Sequence, residues 1–183
     1  MSKKIGLHRE LEFVAPFLPL SFRECSLLVK WKIPSGIYVD PYQLYTSIQN
    51  GTVHFFNHIN IEQMAHQAEP ITFHSLPKIE CSDSYCWSFQ LMPIHLRYHL
   101  PNTNSSTLVP VPSPKAYYSC DSTSHLDVAG NQSVWQQLAE PKVPEHYTHL
   151  PVGDLSHSQT VTTVTIGLAF TATAYVAWII SFH

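Results

Sequence analysis

Histidine and cysteine carry most of the chemistry available to this chain, so their spacing is the first test of function. Twelve of the 183 residues are histidine. His54 and His58 stand four apart, as do His95 and His99. On a helix that spacing puts two imidazoles on one face, as a chelated metal needs; on a strand it makes only a surface stripe. Both pairs fall in segments of alternating polarity, so solvated histidines are expected, with Arg97 beside His95 and His99. The four cysteines are Cys25, Cys81, Cys86 and Cys120. Cys81 and Cys86 are spaced too widely for a zinc knuckle, and nothing there supplies the helix N-terminus that activates a redox thiol. An even count in an exported domain reads as two disulfides, with three possible pairings. The acidic residues are scattered, and no two are spaced to face one pocket as a glycosidase requires. The sequence has no nucleophile-elbow, phosphate-loop or His-Glu-x-x-His motif. Net charge is −3 and the basic residues are dispersed, which argues against nucleic-acid binding. No catalytic residue, cofactor site or metal ligand is expected.

The elements that position these residues read as mainly β. Fourteen prolines and frequent β-branched runs favour short strands over helices. In Ser26–Ile33, Leu27, Val29, Trp31 and Ile33 face one way and Lys30 and Lys32 the other, the mark of a half-buried strand. Pro34-Ser35-Gly36 forms a turn, Ile37–Val39 resumes an extended course, and Asp40-Pro41 ends it. Further strands are expected at Thr52–Ile59, Ile71–Leu76, Tyr85–Leu91, Ile94–Leu100, Thr107–Val111 and Lys115–Cys120, with Pro93 as a break. This pattern predicts a sandwich-like domain over residues 25–120. Residues 1–24 read as a lead-in with one strand near Leu11–Val14. Residues 121–158 read as a polar loop or stalk with a helical turn near Ser133–Leu138.

Residues 159–183 read as a single transmembrane helix. No Lys, Arg, Asp or Glu follows Asp154. About 20 helical residues cross a hydrocarbon core of roughly 30 Å. Five threonines from Thr162 to Thr173 lower its hydropathy, but their hydroxyls can bond back along the helix. Tyr175 and Trp178 suit an interface. A buried core helix and a GPI-attachment signal, with Ser156–Gln159 in its spacer, are the other readings of this tail. No basic flank sets orientation. Three glycosylation sequons, at Asn50, Asn104 and Asn131, together with the paired cysteines place the domain on the lumenal or extracellular side. Against this, no export signal is recognisable: Lys3 and Lys4 are followed by Glu10 and Glu12, and Val14–Leu20 is broken by prolines. The expectation is an incomplete or alternative N-terminus.

Two segments carry a family resemblance. Ile33-Pro-Ser-Gly-Ile-Tyr-Val-Asp-Pro-Tyr-Gln-Leu44 resembles the characteristic segment of the PIG-X family, and Leu91-Met-Pro-Ile-His-Leu-Arg-Tyr-His-Leu-Pro101 is similar to a second. Weaker matches lie at His8–Leu11, Tyr118–Asp121 and Leu150–Gly153. The resemblance implies an accessory subunit of GPI mannosyltransferase I in the endoplasmic reticulum membrane. It implies a cleaved signal, a glycosylated lumenal domain, one membrane helix, a short cytosolic tail and no catalysis of its own. The implied partner is PIG-M, which adds the first mannose from dolichol-phosphate-mannose to the GPI precursor. This sequence departs from that layout at both ends, where the signal and the tail would lie. The candidate partner contacts are Pro34, Gly36, Tyr38, Asp40, Pro41, Tyr42, His95, Arg97, Tyr98 and His99. Gly167 and Thr171, in a small-residue stripe of the helix, join them. Gly36 is expected to supply a turn conformation. Tyr38 and Tyr42 suit either an interface or the domain's own core. The alternative function is a lumenal or cell-surface binding ectodomain with an unknown ligand.

Overall fold

The computed structural model describes residues 6–47, 51–121, 135–138 and 146–182. They form two units: Met1–His99 with Leu108–Leu150, and Leu100–Thr107 with Pro151–His183.

The first unit is a β-domain whose two main sheets face each other. The central strand of one sheet is β7 (Cys86–Leu96). β1 (His8–Leu18) runs antiparallel along one side of it, from His8 opposite His95 to Leu18 opposite Cys86. On the other side, β6 (Ile79–Cys81) covers its start and β3 (Ile37–Tyr38) its end. The second sheet centres on β2 (Ser26–Ile33), with β5 (Ile71–Leu76) on one side and β9 (Lys115–Ser119) on the other. β4 (Thr52–Phe55) and β10 (Gln136–Gln137) form its edges. β8 (Ser106–Val111) and β11 (His146–Pro151) pair separately.

Alternation explains the core. Leu27, Val29, Trp31 and Ile33 of β2 are buried on the face shared with Ile71 and Phe73. Even-numbered residues of β7, from Cys86 to Leu96, are buried against them. The layers are joined by a polar chain: Trp31 Nε1 donates to Ser75 Oγ (3.1 Å), and Ser75 Oγ donates to Gln90 Oε1 (2.7 Å). Buried polar groups need such partners, because an unpaired one costs about 1–3 kcal/mol. Cys25 pairs with Cys120, and Cys81 with Cys86. The first bond continues the β2–β9 ladder just beyond Ser26 opposite Ser119. The second joins directly opposed residues of β6 and β7.

Several elements differ from the sequence expectation. The strand near Leu11–Val14 extends from His8 to Leu18, because it pairs along β7. Pro93 does not break β7. Between the residues matched to β6 and those matched to β3, β7 has a strand neighbour on the β1 side only, and a proline fits a half-open ladder. Helix α1 (Pro41–Ser47) follows β3, with Asp40 Oδ1 accepting from Tyr42 N (2.9 Å) and Pro41 in the first turn. The described part of the expected helical turn, Gln136–Gln137, is β-strand, since it adds to the edge of β9.

In the second unit, α2 (Ser158–Phe182) is exposed from Ser158 to Ser181. Among the described residues it is the helix long and apolar enough to cross a membrane. Its 25 residues span roughly 37 Å. Thr163 and Thr173 hydroxyls donate to the carbonyls of Gln159 and Ala169 at 2.9 and 2.8 Å, so their polarity is met within the helix. The chain entering the helix is held by Asp154, which accepts from Ser156 N (2.8 Å) and Ser105 Oγ (2.9 Å). Bonds from Ser156 first, then from Ser105, hold its carboxyl below the usual value.

Candidate functional site

The two resembling segments, distant in sequence, meet in the β-domain. Pairing of Ile37 with Leu96 and of Tyr38 with His95 lays β3 on the end of β7. Leu44, fully buried, pins α1 beside them. The cluster is then built residue by residue. Ile37 N donates to Pro34 O (3.0 Å), closing the turn, and Arg97 N donates to Gly36 O (2.9 Å). Gly36 does not adopt a positive φ, which corrects the expected turn conformation. Its requirement is space: a Cβ there would lie 3.0 Å from His99 Nε2 and 3.1 Å from Val109 Cγ1.

The histidines of this segment are half-buried and hydrogen-bonded, where solvated ones were expected. His95 stacks on Tyr38 (centroids 4.9 Å apart, planes 14° apart) and meets His8 edge-on at 4.6 Å. Its Nε2 lies 2.7 Å from Gln43 Oε1, so that nitrogen carries the proton. Burial first, then the neighbouring His8, lowers the His95 pKa, and Asp40 opposes them. His99 Nδ1 donates to the carbonyl of Arg97 at 2.8 Å. Arg97 is 3% exposed. Its Nη1 donates to Gln63 O (2.7 Å), and its guanidinium lies 5.0 Å from the Tyr38 ring centroid. Its Nε is buried with no hydrogen-bond partner among the described residues. Burial lowers the Arg97 pKa and raises that of Tyr38. The segment before β5 joins through Ala65 N, which donates to Tyr98 O (2.9 Å).

Apart from Arg97 Nε, the side-chain nitrogens named here bond within the cluster or to the backbone beside it. Tyr42 and Tyr98 stand outside it, 84% and 71% exposed. What the cluster offers is a rigid support for exposed tyrosines, suited to binding. The sequence reading missed Gln43, Gln63 and His8. An amide four residues before a helix end and a carbonyl in a loop have no local signature, whereas the register of β1 alone brings His8 to His95.

The remaining candidates lie elsewhere. Gly167 and Thr171, one turn apart, belong to α2 in the second unit. No atom would obstruct a Cβ at Gly167, and Thr171 Oγ1 donates to Leu168 O (2.9 Å). Asn104 is exposed in the loop of that unit. Asn50 and Asn131 lie outside the described residues. A cavity of about 990 Å³ opens along β1 and residues 111–116, lined mainly by apolar side chains with Glu12, Lys115 and His146. Among the described residues, no group of three or more His, Cys, Asp or Glu is placed to hold a metal ion.

Comparison with known proteins bears on the same segments. Three curated relatives, from Rattus norvegicus, Mus musculus and Homo sapiens, are each named GPI alpha-1,4-mannosyltransferase I, stabilizing subunit. Each is 26% identical to this chain over 89% of its length. The match covers 73%, 72% and 71% of the rat, mouse and human proteins. No solved structure matches. The profile of the PIG-X / PBN1 family matches residues 4–181, nearly the whole chain from before β1 to the last turn of α2. The chain that folds these two segments into one cluster belongs to the PIG-X / PBN1 family.

Proposed function

We propose that this chain is the non-catalytic stabilising subunit of GPI mannosyltransferase I in the endoplasmic reticulum membrane. It binds PIG-M while that enzyme transfers the first mannose from dolichol-phosphate-mannose to the GPI precursor. The β-domain is lumenal, α2 spans the bilayer, and the sequons at Asn50, Asn104 and Asn131 are the glycan acceptors. The observation that carries this reading is the meeting of residues 33–44 and 91–99 in one cluster. A buried Arg97 and a tied-down His95 there hold Tyr42 and Tyr98 outward. Pro34, Gly36, Tyr38, Asp40, Pro41 and His99 shape that support, and Gly167 and Thr171 lie on the side of α2 that packs against the partner's helices. The names of the mammalian relatives and the two disulfides, which fit an oxidising compartment, support the assignment. Depleting the chain should reduce the amount of the catalytic subunit, and restoring it should return that amount. A catalytic subunit that stays abundant and active in its absence refutes the reading.

A further inference from the structure

The outer face of the first sheet is divided. At the His95 end α1 covers it through Gln43. Toward the β6–β7 hairpin it is bare and aromatic. Register places Trp87 opposite Glu80, and Phe89 opposite Val14, on this outward side. Phe17 is 77% exposed and Phe89 is 56% exposed. The Phe17 ring lies 5.3 Å from Tyr85, and Tyr85 lies 5.7 Å from Trp87. The β1 register slips between Ala15 and Leu18. Within that slip Phe17 takes φ 56°, a conformation uncommon outside glycine. An aromatic ring held in solvent by strained backbone asks for an occupant.

Charge identifies the kind of occupant. Glu12 and Glu80 point outward from these strands, no lysine or arginine of β1, β6 or β7 points that way, and Arg23 is turned onto the hairpin carbonyl of Ser82 (3.0 Å). The outer face of the second sheet is the opposite: Lys30 stands opposite Lys115, with Lys32 further along. An apolar patch with an acidic rim repels anionic headgroups and suits a protein surface edged with Lys or Arg. Of the sequon asparagines, the described one, Asn104, is exposed in the other unit. No sequon falls on β1, β6 or β7. Beyond Phe89 the outward side of β7 passes through the half-buried Leu91 to the buried Pro93, where the exposed patch ends.

We infer that Phe17, Tyr85, Trp87 and Phe89, rimmed by Glu12 and Glu80, form the docking surface for an extramembrane segment of the catalytic subunit, apolar at its centre and basic at its edge. This rests on the stabilising-subunit reading. The test uses the full-length chain expressed with the catalytic subunit. A photo-reactive residue replaces Phe17, Phe89 or, as a control, the exposed Lys32 of the second sheet. Irradiated membranes should give an adduct with the catalytic subunit from positions 17 and 89 and none from 32. Adducts only to lipid, only to a second copy of this chain, or to the catalytic subunit from position 32 alone overturn the inference. Glu12→Lys, at an exposed position, should lower recovery of the catalytic subunit at least tenfold without changing thermal unfolding. Undiminished recovery with both Glu12→Lys and Phe89→Ser overturns it while leaving the stabilising role intact. A wild-type chain that recovers no catalytic subunit removes both readings.

Discussion

Gly36 and His95 carry their significance through what presses on them. A methyl group at Gly36 meets the His99 ring at 3.0 Å and Val109 at 3.1 Å. Crowding of this kind costs about 1–3 kcal/mol. Gly36→Ala should therefore lower the unfolding temperature by several degrees, and Gly36→Val by more, as calorimetry would record. An unchanged midpoint would mean that His99 moves aside freely. His95 gives a pH prediction. Its folded-state pKa lies below the ordinary 6.5, chiefly through burial. The unfolded chain then binds the proton first as pH falls, so this group's contribution is intact above about 6.5 and is lost progressively below it. Unfolding midpoints should fall between pH 7 and 5.5 with a slope below one proton. His95→Gln should flatten that slope, and a slope identical in the two proteins would exclude His95 as its source. At Arg97, Lys should not replace Arg. A point charge reproduces neither the planar contact with Tyr38 nor the directed bond to Gln63.

Strands and disulfides set the next scale. Cys25–Cys120 closes a separation of 95 residues and Cys81–Cys86 one of 5. Chain-entropy arguments give about 4.7 kcal/mol for the long loop and about 2 kcal/mol for the short one. Replacing Cys25 and Cys120 by Ser should cost clearly more stability than replacing Cys81 and Cys86, measured by denaturant midpoint on the two double variants. The short bond sits at the hairpin that carries Tyr85. Its loss should loosen the aromatic face more than the β2 core, which site-resolved hydrogen exchange would detect. β2 was legible because burial on one face imposes alternation. β7 was harder: Tyr85, Trp87, Phe89 and Leu91 alternate as clearly as the inward residues do, so pattern alone could not say which set faces the core.

At the scale of the whole molecule, the β-domain and α2 have different solvents. The domain buries alternating residues against a second sheet. α2 is apolar on every side and exposes Phe170, Trp178 and Ile180, which water does not tolerate and lipid does. A chain exported with a signal should show gel-mobility steps on glycosidase treatment, and Asn104→Gln should remove one of them. No shift in the wild-type chain would count against a lumenal domain.

Local pattern was enough to establish a mainly β domain, the anchor, an even set of cysteines and the two family segments. Each depends on residues close in the chain, where periodicity, length and side-chain type act directly. The disulfide pairing, the length of β1, the passage of β7 through Pro93, and the joining of Tyr38 to His95 depend on which strands pair and in what register. Those are long-range choices. They decide that Arg97 is buried and Phe89 is not, because in a strand one residue of shift exchanges the inward and outward faces.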